Sequence, residues 1–283
     1  MIIIVFSKKD IASMTIKKSL EASYNPRYLN KSFDGNPVME LDGAHLITIE
    51  NELIDADYLD KYASDIDFYI FASRHSSSSK MPALLVHTPG NWTNNAKLGG
   101  NPREIAKSCA PAVKFSLQSL SRYHDELGLE DYLVSMEVTH HGPTNLNHPV
   151  VFIELGSVEE NWRDMRAAQA VTHSIVDLIR NYSKIKDKYI PVSGYGGTHY
   201  CPRFNQIQLN TDYAVGHVIP KYAFEEGVDE KMILDAINKT VPKPNFVIID
   251  WKGITKAHKD FLVGVLEKNG IPYKKARAVL KNS

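Results

Sequence analysis

Cysteine is scarce in this 283-residue sequence: Cys109 and Cys201 alone cannot build a disulfide framework, and such usage suits a reducing compartment. Charge of one sign is also missing. With 33 Lys and Arg against 33 Asp and Glu, no global field announces a nucleic acid or a membrane, so any such signal must be local. Long apolar runs are absent as well. Ile2 to Phe6 is too short for a signal-peptide core or a membrane span, and a cytoplasmic protein is expected. The chain has no internal repeat, no His-Glu-x-x-His, no paired Cys-x-x-Cys, no Gly-x-Ser-x-Gly and no Walker lysine. Those gaps argue against zinc-finger and zincin spacings, a nucleophile-elbow serine hydrolase and a phosphate-binding P-loop.

What is present alternates between strand and helix patterns. Ile2 to Phe6 reads as a buried strand and is followed by a helical face of Ile11, Met14 and Leu20. Asn25 to Asn36 reads as a loop, and His45 to Ile49, Asp67 to Ala72 and Ala83 to Val86 as strands. Asn101-Pro102 resembles a helix opening, with the helix running to Leu127. Ser157 to Glu160 matches a capping box ahead of a face of Trp162, Met165, Ala168 and Thr172. Tyr189 to Ser193, Ala214 to Ile219 and Phe246 to Trp251 read as later strands, and Lys256 to Lys268 as a helix. The expected fold is α/β, one domain over residues 1–283 with a mixed central sheet and helices on both faces.

The stretch from Ser135 to Ser157 organises the chain. An apolar run ends at two adjacent histidines, His140 and His141, and Gly142-Pro143 then breaks it. Neighbouring side chains on a strand point to opposite faces, so two such histidines share a site only where the strand has ended. A second apolar run, Val150 to Leu155, carries one acid, Glu154. Glu154 serves either a helix cap near Ser157 or the chemistry of a strand-end site.

Histidines recur where strands end: His75, His87, His140, His141, His199 and His217. Each alone reads as a hydrogen-bonded core histidine, but together they suggest one polar pocket at the ends of strands. Imidazoles with a carboxylate from Glu137 or Glu154 suit zinc. Gly194 to Gly197 makes either a tight turn or a set of exposed N–H groups for an oxyanion. The last sixteen residues carry Lys268, Lys274, Lys275, Arg277 and Lys281 and no acid, a local basic feature in a neutral chain.

Five segments together resemble the archaeal- and plant-type D-aminoacyl-tRNA deacylase family: SRHSSSSKMPALLVHTPGN (73–91), MEVTHHGPT (136–144), VFIELGS (151–157) with Trp162, GYGGTHYCPRF (194–204) and GHVIPKYA (216–223). The resemblance implies hydrolysis of the ester between a D-amino acid and tRNA, dependence on zinc, and a three-layer α/β/α fold similar to peptidyl-tRNA hydrolase and the nucleoside phosphorylases. Within these motifs, residue chemistry suggests His75, His140, His141 and His199 as zinc ligands. Glu154, or failing that Glu137, is the expected general base or orienting group, with His141 also catalytic. The backbone of Gly196, Gly197 and Thr198 would receive the oxyanion. Arg74, His87, His217, Lys221 and Tyr222 are the expected substrate contacts, and the basic tail is a candidate for tRNA phosphates. The expected partner is D-aminoacyl-tRNA, bound by a monomer with no membrane contact. A metal-dependent amidase or peptidase on small substrates would use the same side chains, and a non-catalytic RNA-binding module would use them only as polar contacts.

Overall fold

The computed structural model describes residues 1–281. Its strands are β1 (Ile2–Ser7), β2 (Arg27–Phe33), β3 (Asn36–Leu41), β4 (Ala44–Ile49), β5 (Phe68–Arg74), β6 (Ala83–His87), β7 (Gly90–Asn91), β8 (Glu104–Ile105), β9 (Ser108–Cys109), β10 (Leu133–Met136), β11 (Val150–Gly156), β12 (Ile190–Tyr195), β13 (Tyr213–Ile219), β14 (Thr240–Val241), β15 (Val247–Ile249) and β16 (Tyr273–Lys275). Its helices are α1 (Ile11–Tyr24), α2 (Ala110–Glu126), α3 (Glu159–Trp162), α4 (Met165–Ile185), α5 (Pro202–Asn210), α6 (Lys221–Glu225), α7 (Glu230–Asn238), α8 (Lys256–Lys268) and α9 (Ala276–Val279).

The central sheet has eight strands in the order β10-β6-β11-β5-β1-β4-β3-β2. It is mixed, because β11 runs parallel to β5 but antiparallel to β6. Continuous apolar runs explain its middle: β1, β5 and β11 are buried on both faces, as near-continuous hydrophobic strands must be. Each buried isoleucine or phenylalanine contributes about 1.5–3 kcal/mol of transfer free energy. A second sheet, β13-β12-β15-β16, is entirely parallel.

One face of the large sheet packs on α1, α2 and α4. Its other face is covered by an irregular segment whose Leu53, Ala56, Leu59, Tyr62 and Ile66 bury against Ile3, Val5, Tyr69 and Phe71. The smaller sheet has helices on both sides, with α7 and α8 on one and residues of α5 on the other. A single apolar cluster contains side chains of both sheets, from Ile4 and Val151 to Val192 and Ile248.

Three sequence expectations fail locally. The segment expected to be a loop at Asn25 to Asn36 contains β2, an exposed edge strand turning into β3 through Asp34 and Gly35, both at positive φ. Its polar composition hid it, since an edge strand has little to bury. The helix expected from Asn101 begins at Ala110 with Pro111 in its first turn, because Glu104–Ile105 and Ser108–Cys109 pair into two small ribbons. The helix expected from Ser157 breaks after α3. Asn161 Oδ1 accepts from the N–H groups of Ser157 and Val158, and Asp164 caps a fresh start at α4.

Candidate active site

Strand periodicity decides which side chains reach the site. On β11, Val151, Ile153 and Leu155 point into the helix-covered core, while Val150 and Phe152 point to the opposite face. Glu154 follows that alternation and emerges where this second face runs out of apolar cover. His87, the last residue of β6, is in register with Phe152 and stacks on its ring at 5.1 Å. Glu137 directly follows β10, its N–H bonded to the Val86 carbonyl, which sets it beside β6. Of the two roles open to Glu154 from sequence, helix capping is not observed, because its carboxylate faces His75 and His87.

Adjacent histidines meet because the backbone turns between them. His141 adopts φ 47°, the left-handed region, and the carbonyls of both His140 and His141 accept from the Gly90 N–H. Left-handed geometry costs a non-glycine residue about 1–2 kcal/mol, which the surrounding packing must supply. Gly142 is required next: a Cβ there would lie 2.4 Å from the Gly100 nitrogen. The two rings then lie 4.5 Å apart, with His87 at 4.3 Å from His140 and 4.7 Å from His141.

Two carboxylates tie the imidazoles together. His75 Nδ1 lies 3.6 Å from both Glu137 Oε2 and Glu154 Oε2, and His87 Nε2 lies 3.6 Å from Glu154 Oε1. His199, delivered by the loop after β12, reaches Glu137 Oε1 at 2.8 Å. Thus both sheets contribute. Burial opposes protonation of His75 and His87, but Glu154 and Glu137 outweigh it and raise both pKa values. Burial would also raise Glu154, yet His75 and His87 hold it well below the ordinary carboxylate value. Burial and the neighbouring imidazoles push His140 well down, and burial and His87 lower His141 to about 4. Those two rings are neutral at physiological pH.

The side chains can hold a metal ion. Potential ligand atoms of His87, His140 and His141 lie within 4.8 Å of one another, as do those of Glu137, His140 and His199, and of His75, Glu137 and Glu154. Tautomers support the first set. His140 Nδ1 meets the Val138 carbonyl at 2.8 Å and His141 Nδ1 meets that of Gly142 at 2.6 Å. A carbonyl only accepts, so Nδ1 carries the proton and Nε2 keeps its lone pair, as a metal-ligating imidazole requires. Both His87 nitrogens and Glu137 Oε2 are buried without a hydrogen-bond partner, the pattern of ligands prepared for an ion.

Two clefts meet at this cluster. One, of about 340 Å³, is lined by Asp10, Glu52, Arg74, His75, Glu154 and the rings of His140, His141 and His199. The other, of about 200 Å³, brings Asn91, Trp92, Thr93, Tyr222 and Glu226 to the opposite side of the same three rings. Leu98, 60 % exposed, belongs to both. Tyr222 stacks on His199 at 6.4 Å.

Several expected contacts fall elsewhere. His217 is fully buried, with Nδ1 against Thr139 and its ring edge-on to Trp92, so it cannot touch substrate. His87 belongs with the histidine cluster and not with the substrate contacts. Arg74 lines a cleft, but its guanidinium is held by Glu52 and the Lys9 carbonyl. Lys221 opens on a neighbouring cavity with Gly197 and Thr198 and pairs with Glu225. Gly196 and Gly197 cannot receive an oxyanion, because their N–H groups already donate to Ile219 and Gly253 carbonyls. Their turn instead admits the close approach of Gly253. Sequence reasoning missed Asp10, Glu52 and Trp92. Asp10 had a signal in its position just beyond the first strand; Glu52 and Trp92 sit in loops with none.

A protein-family model described as D-aminoacyl-tRNA deacylase matches residues 62–274. A Pyrococcus horikoshii protein named D-aminoacyl-tRNA deacylase is 35% identical over 276 residues, covering 96% of this chain and 98% of its own. One of the same name from Methanococcus vannielii is 36% identical over 283 aligned residues, with the same two coverages. A crystal structure of a conserved protein of unknown function is 31% identical and superposes with a TM-score of 0.89 over 99% of this chain and 97% of that one.

Proposed function

This chain belongs to the D-aminoacyl-tRNA deacylase family and is an ester hydrolase acting on D-aminoacyl-tRNA, and we propose that the ester is cleaved at the histidine–carboxylate cluster, with release of free tRNA and a D-amino acid. The observation that carries this is the convergence of His75, His87, His140, His141 and His199 on Glu137 and Glu154 where two clefts meet.

An aminoacyl ester is already activated, so the protein has mainly to orient a water and stabilise developing charge. Glu154 lines the larger cleft as a carboxylate and is the general base, taking the water proton. His75, beside Glu154 and with a raised pKa, returns a proton to the departing ribose oxygen. Glu137 holds His199 in place. His87, His140 and His141 would hold zinc, which would polarise an ester carbonyl and lower the pKa of water towards about 7. Glu52 is paired with Arg74, so the carboxylates of Asp10 and Glu154 give the larger cleft the character needed for the α-ammonium group of the amino acid, and the Tyr222 cleft takes the terminal adenosine. Because side chains of both sheets build one site, we read residues 1–283 as a single deacylase unit that acts as a monomer in the cytoplasm, where its substrate is made. No helix among the described residues is long and apolar enough to cross a membrane.

Family membership selects this reading over a small-substrate amidase and over a non-catalytic RNA-binding module. The decisive experiment compares D- and L-tyrosyl-tRNA with and without a chelator. Rapid loss of the D-ester, sparing of the L-ester and inhibition by chelator are expected. Equal hydrolysis of both enantiomers would overturn the chiral assignment, and full activity in metal-free protein would remove zinc.

A further inference from the structure

The cavity that captured Lys221 does not stand alone. It has about 500 Å³ and is lined by Gly197, Thr198, Arg203, Lys221, Asp250 and residues 252–255. Its neighbour, about 480 Å³, shares Arg203, Asp250 and Lys252 with it and adds Trp251, Lys275 and Arg277. The first adjoins the active site through the chain itself, because Thr198 and Lys221 immediately precede His199 and Tyr222 of the Tyr222 cleft. The two cavities therefore form one groove leading from the histidine cluster across the C-terminal edge of the smaller sheet.

Charge along this groove is one-sided. Arg203, Lys221, Lys252, Lys275 and Arg277 are exposed, and Asp250 is the one acid among the residues lining the two cavities. Only Lys221 has a carboxylate partner among the described residues, Glu225 at 3.2 Å. Arg203 bonds to the neutral Gln206, and the Lys275 ammonium rests over the Trp251 ring at 4.3 Å. In a chain whose formal charge is zero, five exposed cations around a single lining acid are a local electrostatic footprint. The basic tail contributes only in part: Lys268 is turned away to Glu230, and Lys274 packs on Tyr213 and Phe246.

We propose that this groove is the phosphate-binding track for the acceptor end of tRNA, holding the backbone behind the terminal adenosine while the ester reaches the histidine cluster. The assignment rests on the deacylase reading of that cluster. Its contacts are to phosphate and carry no base specificity, which suits an enzyme defined by the amino acid and not by one tRNA sequence. Each phosphate neutralised releases counterions, with a salt slope of about −0.9 per contact on duplex and about −0.7 on single strand.

The test measures binding of unacylated tRNA against salt concentration. Arg203, Lys252 and Arg277 are changed together to Ala, and a control protein carries Lys18→Ala on α1 and Lys184→Ala and Lys186→Ala at the C-terminal end of α4, behind the large sheet. The groove variant should bind roughly tenfold or more weakly near about 0.1 M salt, and its plot of log K against log [salt] should flatten by about two to three units. The control should match the parent. Should the triple variant misfold, Lys252→Glu alone must weaken binding and flatten the slope. Equal slopes for groove and control variants overturn the groove. Failure of the parent to deacylate D-tyrosyl-tRNA, with the groove slope still altered, overturns the deacylase reading instead.

Discussion

Two neighbouring regions treat charge in opposite ways. At the histidine cluster, Glu137 and Glu154 are sealed from solvent and each imidazole lies within a few ångströms of another titratable group. In the adjoining groove, Arg203, Lys252 and Arg277 stand in solvent without acidic partners among the described residues. In the first region each proton is fixed by burial and by its neighbours, so a single atom matters. In the second, water and salt screen each charge, so effects are modest and accumulate. Chemistry belongs in the first setting, and capture of a polyanion in the second.

The largest effect that tests this contrast is expected at Glu154. Glu154→Gln keeps the shape and removes the base, so kcat should fall by about 10²–10⁴ with little change in the salt dependence of tRNA binding. A variant that instead kept kcat and altered only the salt slope would behave like a groove residue and erase the distinction.

Metal removal should act on the same region alone. Chelation should abolish turnover and lower the melting temperature, because an ion bound to the folded state at a hundred times its Kd adds about 2.7 kcal/mol. For a chain of this size that corresponds to roughly 5–10 °C. Binding of unacylated tRNA by the groove should survive. No thermal shift on chelation, and none on returning zinc, would mean that the buried orphan atoms of His87 and Glu137 serve a purely proton-transferring site.

How far the sequence disclosed all this follows from the same contrast. Buried elements leave strong apolar signals, continuous in the central strands and helical in Lys256–Lys268, so both were readable. The edge strand at Arg27–Phe33 buries little and left no such mark. Strand-end histidines were readable as candidates for one pocket, but which imidazole meets which carboxylate was not, because Glu137 and His199 meet across 62 residues. His87 and His217 look alike in sequence, each ending or occupying an apolar run. Register alone sends one to the cluster and the other behind Trp92. The glycine turn misled because nothing local shows that its N–H groups pair with residues 219 and 253.

The smallest expected effect is on stability, and it separates two buried groups that lie beside the cluster. Burial raises the Asp10 pKa from 3.8 to about 6, the bonds from Ser13 and Arg74 N–H groups offsetting only part of it. Burial lowers the His217 pKa from 6.5 to about 3. Between pH 4 and 6 folded Asp10 keeps a proton that the unfolded chain has released, so its contribution to stability falls as pH rises. Over the same window unfolded His217 holds a proton that the folded chain excludes, so its contribution rises with pH. In the parent the two slopes oppose each other. Asp10→Asn retains a good helix cap and removes the falling branch. Its stability relative to the parent should climb with pH by about 1 kcal/mol per unit. His217→Gln removes the rising branch, so its relative stability should decline by a similar amount per unit. Urea unfolding at pH 4.5, 5 and 5.5 reads both slopes, and the sign of each is the test, since either substitution also carries a pH-independent packing cost. Two variants with parallel curves would show that these side chains are solvated like the cations of the groove, and that burial beside the cluster does not govern its protons.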